Sequence, residues 1–251
     1  RLGFKKVFDT NFGADLTIME EAAELLTRVK EGGVLPMITS CSPGWINYAE
    51  YYYGDLLGHL SSCKSPHEMF GAILKTYYAE QNGIKPEDMF VVSVMPCTAK
   101  KFEKERKQLM VNGLKDVDAV LTTRELAKLI KRAGIRFAKL PDEEFDNDIV
   151  GEYTGAGVIF GATGGVMEAA LRTAAFVLNG EELQHVELQE VRGMEGIKEA
   201  TYTLGGMDVK VAVASGMKNA KVLLDQIAQG TSPYHFIEIM GCPGGCVAGG
   251  G

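Results

Sequence analysis

Short apolar or alternating runs interchange with amphipathic stretches along most of the chain, and this pattern predicts its secondary structure. The apolar and alternating runs predict strands over 34–40, 89–95, 118–121, 186–191, 197–203, 208–214 and 236–240. The amphipathic stretches predict helices over 16–30, 45–53, 65–80, 122–133, 166–179 and 218–229. Because strands and helices interchange, the chain is expected to form an α/β fold with mostly parallel sheets.

The ends of several elements are marked by residues that stop or start a helix. Gly32-Gly33 is expected to end the first helix, and Thr122 or Thr123 to cap the helix that follows strand 118–121. The stretch 141–157 is acidic and then rich in glycine, which is typical of a surface loop.

Cysteines follow three of the predicted strands. Cys41 comes after 34–40, Cys97 after 89–95 and Cys242 after 236–240. In α/β folds, ligand sites gather at the carboxyl ends of strands, so the three strand ends are expected to bring these thiols together.

Composition and charge narrow the class of protein. The 251 residues suit one large domain or two lobes, and 46% hydrophobic with 24% charged residues is ordinary for a globular protein. A net charge of -7 argues against nucleic acid as the main partner. No apolar run approaches the roughly 20 residues of a membrane span, so we expect no membrane insertion. No signal peptide is recognised, and five widely spaced cysteines favour a reducing, cytoplasmic setting.

The strongest chemical signal is a cysteine pair, Cys242 and Cys246, set among glycines and other residues with small side chains. Thiolates bind iron, and glycine lets the backbone approach a bulky group closely, so the segment favours a metal–sulfur cluster. Zinc is the alternative, but a four-thiolate zinc site usually has two close pairs, and the other cysteines are far apart in the sequence.

Residues near Cys97 add to this picture. Lys100 is expected one helical turn from the Cys97 thiol, and a buried ammonium needs an acceptor that an anionic cofactor ligand would provide. Cys63 has no such setting and is interpreted as structural. Among the histidines, which show no ligand spacing, only His67 is a candidate to face the site; the others are His59, His185 and His235.

One glycine-rich stretch, 161–165, precedes a predicted helix. It matches neither the Walker nor the Rossmann phosphate-binding pattern. We interpret it as small residues that let a helix end approach a bulky group.

Three segments, 39–45, 95–103 and 238–251, resemble the signatures of the catalytic domain of iron-iron hydrogenases of the bacterial type. The similarity continues through 8–16, 122–127 and 161–170 and covers essentially the whole chain. It implies a single catalytic domain over 1–251, built as two α/β lobes, each a mostly parallel twisted sheet flanked by helices, with a metal cluster in the cleft between them. Both ends are expected to be truncated, because the chain lacks an initiator methionine and stops in a glycine run.

The resemblance also implies a cofactor, the H-cluster, and an activity. In the family, a 4Fe-4S cubane held by four cysteines shares one sulfur with a two-iron subcluster. That subcluster carries CO, cyanide and an azadithiolate, and it interconverts dihydrogen with protons and electrons. The matching ligands here are Cys97, Cys242 and Cys246, with Cys246 as the bridge. The matching residues around the two-iron site are Lys100, Ser65, Met240, Phe160, Met95 and Pro96. Of these, Lys100 and Ser65 correspond to cyanide contacts, and Met240 to a neighbour of the bridging carbonyl.

Proton delivery is carried over in the same way. Cys41 matches the thiol that passes a proton to the bridgehead amine, and Glu21, Glu24, Ser61 and Arg28 match the relay to the surface. Glu21, Glu24 and Arg28 share one helix face by their spacing. From the residues alone, without the resemblance, we interpret that helix face as an exposed ladder of ion pairs.

The sequence departs from the family at Ser42, where the fourth cysteine ligand of the cubane is expected. A serine alkoxide binds iron as a harder, more basic ligand, which predicts a weaker cubane or a shifted potential. Alternatively, Cys41 ligates the cubane and the proton shuttle is lost, or the serine was introduced deliberately. The sequence leaves these three interpretations open.

The resemblance implies partners as well. We expect electrons from ferredoxin or from iron-sulfur or flavin subunits, dedicated maturation proteins, and an anaerobic host. An N-terminal segment that touches the two-iron site in the family, and ferredoxin-like modules, are not found in this chain.

The alternative function is that of a non-catalytic relative, either an iron-sulfur carrier or assembly protein or a hydrogen sensor. Ser42 favours that alternative, whereas the relay and Cys41 count against it.

Overall fold

The computed structural model describes residues 1–180, 186–191 and 195–250, so His185 lies outside the described residues. The helices are α1 Asn11–Glu31, α2 Pro43–Tyr52, α3 Pro66–Ile73, α4 Ala79–Gln81, α5 Lys100–Glu103, α6 Thr123–Arg132, α7 Gly155–Ile159, α8 Gly165–Asn179 and α9 Met217–Ala228. The strands are β1 Met37–Ile38, β2 Val92–Met95, β3 Ala119–Thr122, β4 Gln189–Glu190, β5 Ile197–Leu204, β6 Met207–Ser215 and β7 Phe236–Met240. Among the described residues, no helix combines the length and hydropathy that a membrane crossing requires.

The strands form two sheets. The larger has the order β1-β7-β6-β5-β4, and the smaller pairs β2 with β3 in parallel. In the larger sheet β7 lies parallel to both β1 and β6, which confirms an α/β fold dominated by parallel pairs. The β5–β6 and β4–β5 pairs are antiparallel. The β5–β6 connection turns at Gly205 and Gly206, and it is too short for the crossover of a dozen or more residues that parallel strands need.

The core lies on both faces of the larger sheet. Ile237 and Ile239 of β7 pack with Trp45 of α2 and Leu223 of α9 on one face. Phe236 packs on the other face with residues of α1 and α8. Because side chains alternate along a strand, Glu238 and Met240 share the face of Phe236, which is the face of α1 and α8.

Helix α1 begins five residues earlier than predicted and ends where predicted, since Gly32 takes the left-handed conformation with φ 73°. Near its start, α1 crosses α3 closely. A Cβ atom at Gly13 would lie 2.3 Å from the carbonyl oxygen of Pro66, so only glycine fits there. This crossing fixes α1 beside the loop that leads into α3, and α1 carries three of the four predicted relay residues, Glu21, Glu24 and Arg28.

Several boundaries differ from the prediction. Strand 34–40 is reduced to β1, and the predicted helix 65–80 contains a π-helical turn over Leu74–Tyr78. The loop 141–157 ends in the short helix α7. Strand β2 is not fully buried, because Val94 is 38% exposed. The predicted cap is confirmed at Thr122, whose side chain accepts from the backbone N–H of Glu125 in a capping box.

Candidate active site

A cavity of about 290 Å³ lies where the ends of the two sheets meet. The larger sheet contributes Cys41, after β1, and Cys246, after β7; the smaller sheet contributes Met95 and Pro96 at the end of β2. Lys100 and Phe160 complete that set of predicted residues. Gly161, from the glycine-rich stretch 161–165, also lines it. The wall further includes residues to which the sequence assigned no role, namely Asp9, Thr10, Asn11, Ala14, Pro66, Val94, Gly157 and Val247. A more open depression of about 670 Å³ beside Ser215 and Lys218 is lined by no cysteine, so the smaller cavity is the candidate site.

The Cys41 side chain is 4% exposed and belongs to an apolar cluster with Phe160, Met240 and Val166, against which Cys246 packs. Burial raises the pKa of the Cys41 thiol well above its usual value, and the nearby Glu21 carboxyl raises it further. Cys41 is therefore a neutral thiol, which is able to give up a proton to a basic group in the cavity.

Cys97, Cys242 and Cys246 lie close enough together to influence one another. Burial raises the pKa of Cys246, Lys100 opposes the rise, and the Cys97 and Cys242 thiols add to it. Among the described residues, no three cysteine sulfurs lie within 4.8 Å of one another. A tetrahedral zinc site with Zn–S bonds of about 2.3 Å needs sulfurs roughly 3.8 Å apart. The thiols are therefore not arranged as ligands of a single tetrahedral zinc ion.

The glycines of the C-terminal segment are required by close backbone contacts. A Cβ atom at Gly245 would lie 2.4 Å from the Gly161 oxygen, and one at Gly249 would lie 2.1 Å from the Pro96 oxygen. The segment thus packs directly on the 161–165 loop and on the end of β2. The loop is tight for the same reason, because a Cβ atom at Gly165 would meet the Ile159 oxygen at 1.8 Å.

The carboxyl of Glu238 ties this loop to β7. Its oxygens accept hydrogen bonds from the backbone N–H groups of Gly164, at 2.7 Å, and Met167, at 2.8 Å, at the start of α8. Burial raises the pKa of Glu238 to about 7, although the two backbone donors act in the opposite direction. Glu238 lies in the segment 238–251, but nothing in its sequence context indicated this role.

Lys100 is 3% exposed and has two partners inside the protein. Its ammonium donates to the Cys41 carbonyl oxygen at 2.9 Å and to Glu103 Oε2 at 2.8 Å. The sequence analysis expected an anionic cofactor ligand as the acceptor for the buried ammonium, but the protein itself supplies two acceptors. An ammonium has three donors, so one N–H remains for the cavity that Lys100 lines.

The predicted relay residues come together around Glu24. Its carboxylate accepts from Arg28 Nη2 at 2.6 Å and from Ser61 Oγ at 3.0 Å. The side chains of Glu24 and Arg28 are only 17% and 15% exposed, so the interpretation as an exposed ion-pair ladder is wrong. Burial acts to raise the pKa of Glu24, but the Arg28 guanidinium outweighs it and lowers that pKa, so Glu24 stays ionised.

Glu21 is fully buried, and neither carboxyl oxygen has a hydrogen-bond partner among the described residues. Burial raises the pKa of Glu21 to about 7, and the nearby Ser61 hydroxyl opposes the rise without completing a hydrogen bond. Glu21 therefore titrates near neutral pH between Cys41 and the Glu24 cluster, as a proton carrier requires.

The side chains of Cys41 and Ser42 point in different directions although the two residues are adjacent. The Ser42 hydroxyl is buried and accepts a hydrogen bond of 3.3 Å from the backbone N–H of Gly241, which precedes Cys242. Cys41 lies in the cavity wall with Cys246. The serine is thus beside the cysteine pair, and the thiol is on the cavity side.

Three further predicted residues have partners that the sequence did not reveal. The Ser65 hydroxyl donates to Glu103 at 2.8 Å, and His67 Nε2 lies 2.6 Å from the same carboxyl. Cys63, interpreted as structural, places its sulfur 3.8 Å from Glu24 Oε2. The signal for Glu103 was present in the sequence, because it lies three residues after Lys100 in the second recognised segment.

The fold and the cavity define an α/β domain whose cysteine-bearing site suits a metal–sulfur group. Residues 1–250 match the family model of the iron-only hydrogenase large subunit, C-terminal domain, and the chain belongs to this family. It is 55% identical over 251 residues to iron hydrogenase 1 of Clostridium pasteurianum. It is 54% identical over 253 residues to the periplasmic iron hydrogenase large subunit of Nitratidesulfovibrio vulgaris.

A more distant relative and a solved structure complete the comparison. The cytosolic iron-sulfur assembly component 3 of Rattus norvegicus is 33% identical over 260 residues. The structure of an iron-iron hydrogenase from Chlamydomonas reinhardtii matches with a TM-score of 0.88 and 46% identity, over 99% of this chain and 70% of that one. All of this chain is matched, but it spans only 44%, 60% and 55% of the Clostridium, Nitratidesulfovibrio and Rattus proteins.

Replacing Glu21 by glutamine should make the protein less sensitive to pH. The pKa of Glu21 is about 7 in the folded protein against an ordinary value of 4.5, so the native protein loses stability as pH rises through that window. The difference in free energy of unfolding, variant minus native, should therefore increase by roughly 3 kcal/mol between about pH 4.5 and pH 7. Urea unfolding at a series of pH values measures this difference. The same substitution at exposed Glu20 is the control, and a pH-independent difference for Glu21→Gln contradicts the assignment.

Proposed function

We propose that this chain is a hydrogenase catalytic domain that binds an H-cluster and interconverts dihydrogen with protons and electrons. The single observation that carries the proposal is the cavity wall, where Cys41, Lys100 and Cys246 meet. Behind Cys41, the buried Glu21 and the Ser61–Glu24–Arg28 cluster lead away from it. A carrier of preformed clusters has no need of such a proton path.

The residues fit the cofactor by their chemistry. Cys97, Cys242 and Cys246 would hold the cubane, with Cys246 on the cavity side as the bridging ligand. Lys100 would offer its remaining N–H to a cyanide. Ser65 is assigned to the second cyanide by the resemblance, but its one hydroxyl proton is donated to Glu103 in this structure, so that contact would require the hydroxyl to turn. Met95, Pro96, Phe160 and Met240 would supply the apolar wall that excludes water. When bound, the two-iron subcluster supplies the metal centre at which protons and electrons combine.

The chain's own part is to move protons. The Cys41 thiol holds one proton at the cavity wall, because burial keeps its pKa high. Glu21, with a pKa of about 7, is suited to return a proton to Cys41 after each transfer. Ser61 lies between Glu21 and Glu24, and the Glu24–Arg28 pair, which is 15–17% exposed, marks the end nearest solvent.

Replacing Cys41 by alanine should lower hydrogen turnover by at least about 100-fold, because general acid–base groups of this kind contribute factors of that size. Iron content should stay at the native level, since the thiol faces the cavity and not Ser42 or Gly241. Cys97→Ala is the contrasting variant and should lose iron. Loss of iron in Cys41→Ala would instead make Cys41 a ligand and remove it from the relay.

Ser42 is proposed as the source of the fourth cubane ligand, because its oxygen lies beside the residue that precedes Cys242. Ser42→Cys should raise iron retention and shift the cubane's midpoint potential, since thiolate is the softer ligand. Ser42→Ala should reduce iron per chain. Iron analysis and a potentiometric titration followed by electron paramagnetic resonance measure both effects. Identical spectra and iron content in all three proteins would show that Ser42 is not a ligand.

Infrared spectroscopy tests the proposed function directly. The protein is produced with hydrogenase maturation proteins and measured under hydrogen and under CO. Bands from metal-bound CO and cyanide are expected. Their absence from fully matured, iron-loaded protein would contradict the proposal and favour the second candidate, an iron-sulfur carrier or assembly protein or a hydrogen sensor. The assembly component at 33% identity and Ser42 are the observations that favour it.

The remaining expectations are part of the same proposal. The domain is proposed to comprise 1–251, with the cluster in the cleft between two lobes. Electrons would come from ferredoxin or from iron-sulfur or flavin subunits, as the spans of 44–60% of the two hydrogenase relatives leave room for such modules elsewhere. A cytoplasmic location stays a prediction, and one relative is named as periplasmic.

A further inference from the structure

We infer that His67 is a positioning residue that acts through Glu103 to hold the Lys100 ammonium at the cavity wall. What Lys100 faces there rests on the proposed function; the positioning itself does not. His67 lies in the first turn of α3 and Glu103 at the end of α5, so the contact joins two elements that are far apart in the sequence.

One oxygen of Glu103 collects three donors. Glu103 Oε2 lies 2.8 Å from Ser65 Oγ, 2.6 Å from His67 Nε2 and 2.8 Å from Lys100 Nζ. On its other side, His67 Nδ1 lies 3.0 Å from Ser93 Oγ of β2. All five side chains are buried, so these contacts are made in place of water.

The direction of each hydrogen bond follows from Glu103. Burial acts to raise the pKa of Glu103, but Lys100 and the His67 hydrogen bond outweigh it and lower that pKa to about 2. An ionised carboxylate only accepts, so His67 Nε2 must carry a proton. Burial, with Lys100 adding to it, lowers the pKa of His67 to about 4, so the ring is neutral and Nδ1 accepts from the Ser93 hydroxyl.

Lys100 needs this support because its own element supplies little rigidity. Helix α5 is a single turn of four residues, and such a helix is marginal by itself. A lysine side chain also has four flexible methylenes. With one N–H on the Cys41 carbonyl and one on Glu103, the position of the third depends on how firmly Glu103 is held. Ser65 and His67 hold it.

The same group of residues invites a second interpretation, as a cation site. His67, Glu68 and Glu103 place ligand atoms within 4.8 Å of one another. However, Glu103 Oε2 is already 2.8 Å from the Lys100 ammonium, and a metal ion there would face that charge. Burial, with Glu103 and Asp116 adding to it, raises the pKa of Glu68 to about 8, which leaves its carboxyl neutral at pH 7. An internal hydrogen-bond network accounts for the contacts better.

The test compares His67→Leu, which removes the donor to Glu103, with His67→Gln, which keeps one. His235→Leu is the control, because His235 accepts from the Lys210 backbone on the larger sheet, away from Lys100. In protein without the two-iron subcluster, nuclear magnetic resonance of the Lys100 ammonium reports its ordering. The signal is expected in the native protein, His67→Gln and His235→Leu, and should be lost in His67→Leu. An unchanged signal in His67→Leu overturns the inference.

Matured protein then shows the consequence. His67→Leu should shift the cyanide infrared bands and lower turnover roughly 10- to 100-fold, as misplacement of a positioning group does, with the native values largely restored in His67→Gln. A fall in melting temperature in His67→Leu without the ammonium or band changes would indicate a merely structural role and also overturn the inference. If the native protein shows no CO or cyanide bands, the proposed function fails, and the ammonium signal still decides the role of His67.

Discussion

Much of the site depends on one feature that by itself destabilises the fold, the charged amine of Lys100 buried beside the cavity. An ammonium taken out of water is destabilising by several kcal/mol unless the protein supplies partners. Glu103 and the Cys41 carbonyl supply them, and each partner ties a different part of the fold to Lys100. Glu103 reaches α3 through Ser65 and His67, and the Cys41 carbonyl belongs to the loop after β1. Satisfying one charge therefore aligns the loop, α3 and α5 around the cavity.

Backbone contacts supply the second constraint. Close approaches at Gly165, Gly245 and Gly249 bring the chain ends of β2 and β7 and the start of α8 together without intervening side chains. Glu238 then binds the start of α8 from β7. These contacts fix the backbone that carries Cys246, since a side-chain rearrangement leaves backbone contacts unchanged.

The positions of helices and strands could be predicted from the sequence far better than the contacts that each helix makes with distant segments. The strand before each cysteine, the cap at Thr122 and the stop at Gly32 all depend on local chemistry, and all are present. The burial of Glu24 and Arg28 was missed because a helix pattern shows which residues share a face but not what covers it. The cover is the Leu60–Ser62 stretch, which binds Glu24 and Arg28 from more than thirty positions away. The His67–Glu103 contact was missed for the same reason.

The pair Cys41 and Ser42 shows how an extended backbone can separate two tasks. Ser42 has φ -100° and ψ 103°, an extended conformation in which neighbouring side chains point to opposite sides. One side is the cavity and the other is Gly241. A thiol at position 41 cannot reach the place of the Ser42 oxygen without turning this backbone, and helix α2, which starts at Pro43, holds it in place. The proton transfer proposed for Cys41 and the iron ligation proposed for Ser42 would therefore use opposite sides of the backbone, and a substitution at Ser42 would leave the Cys41 thiol in the cavity wall.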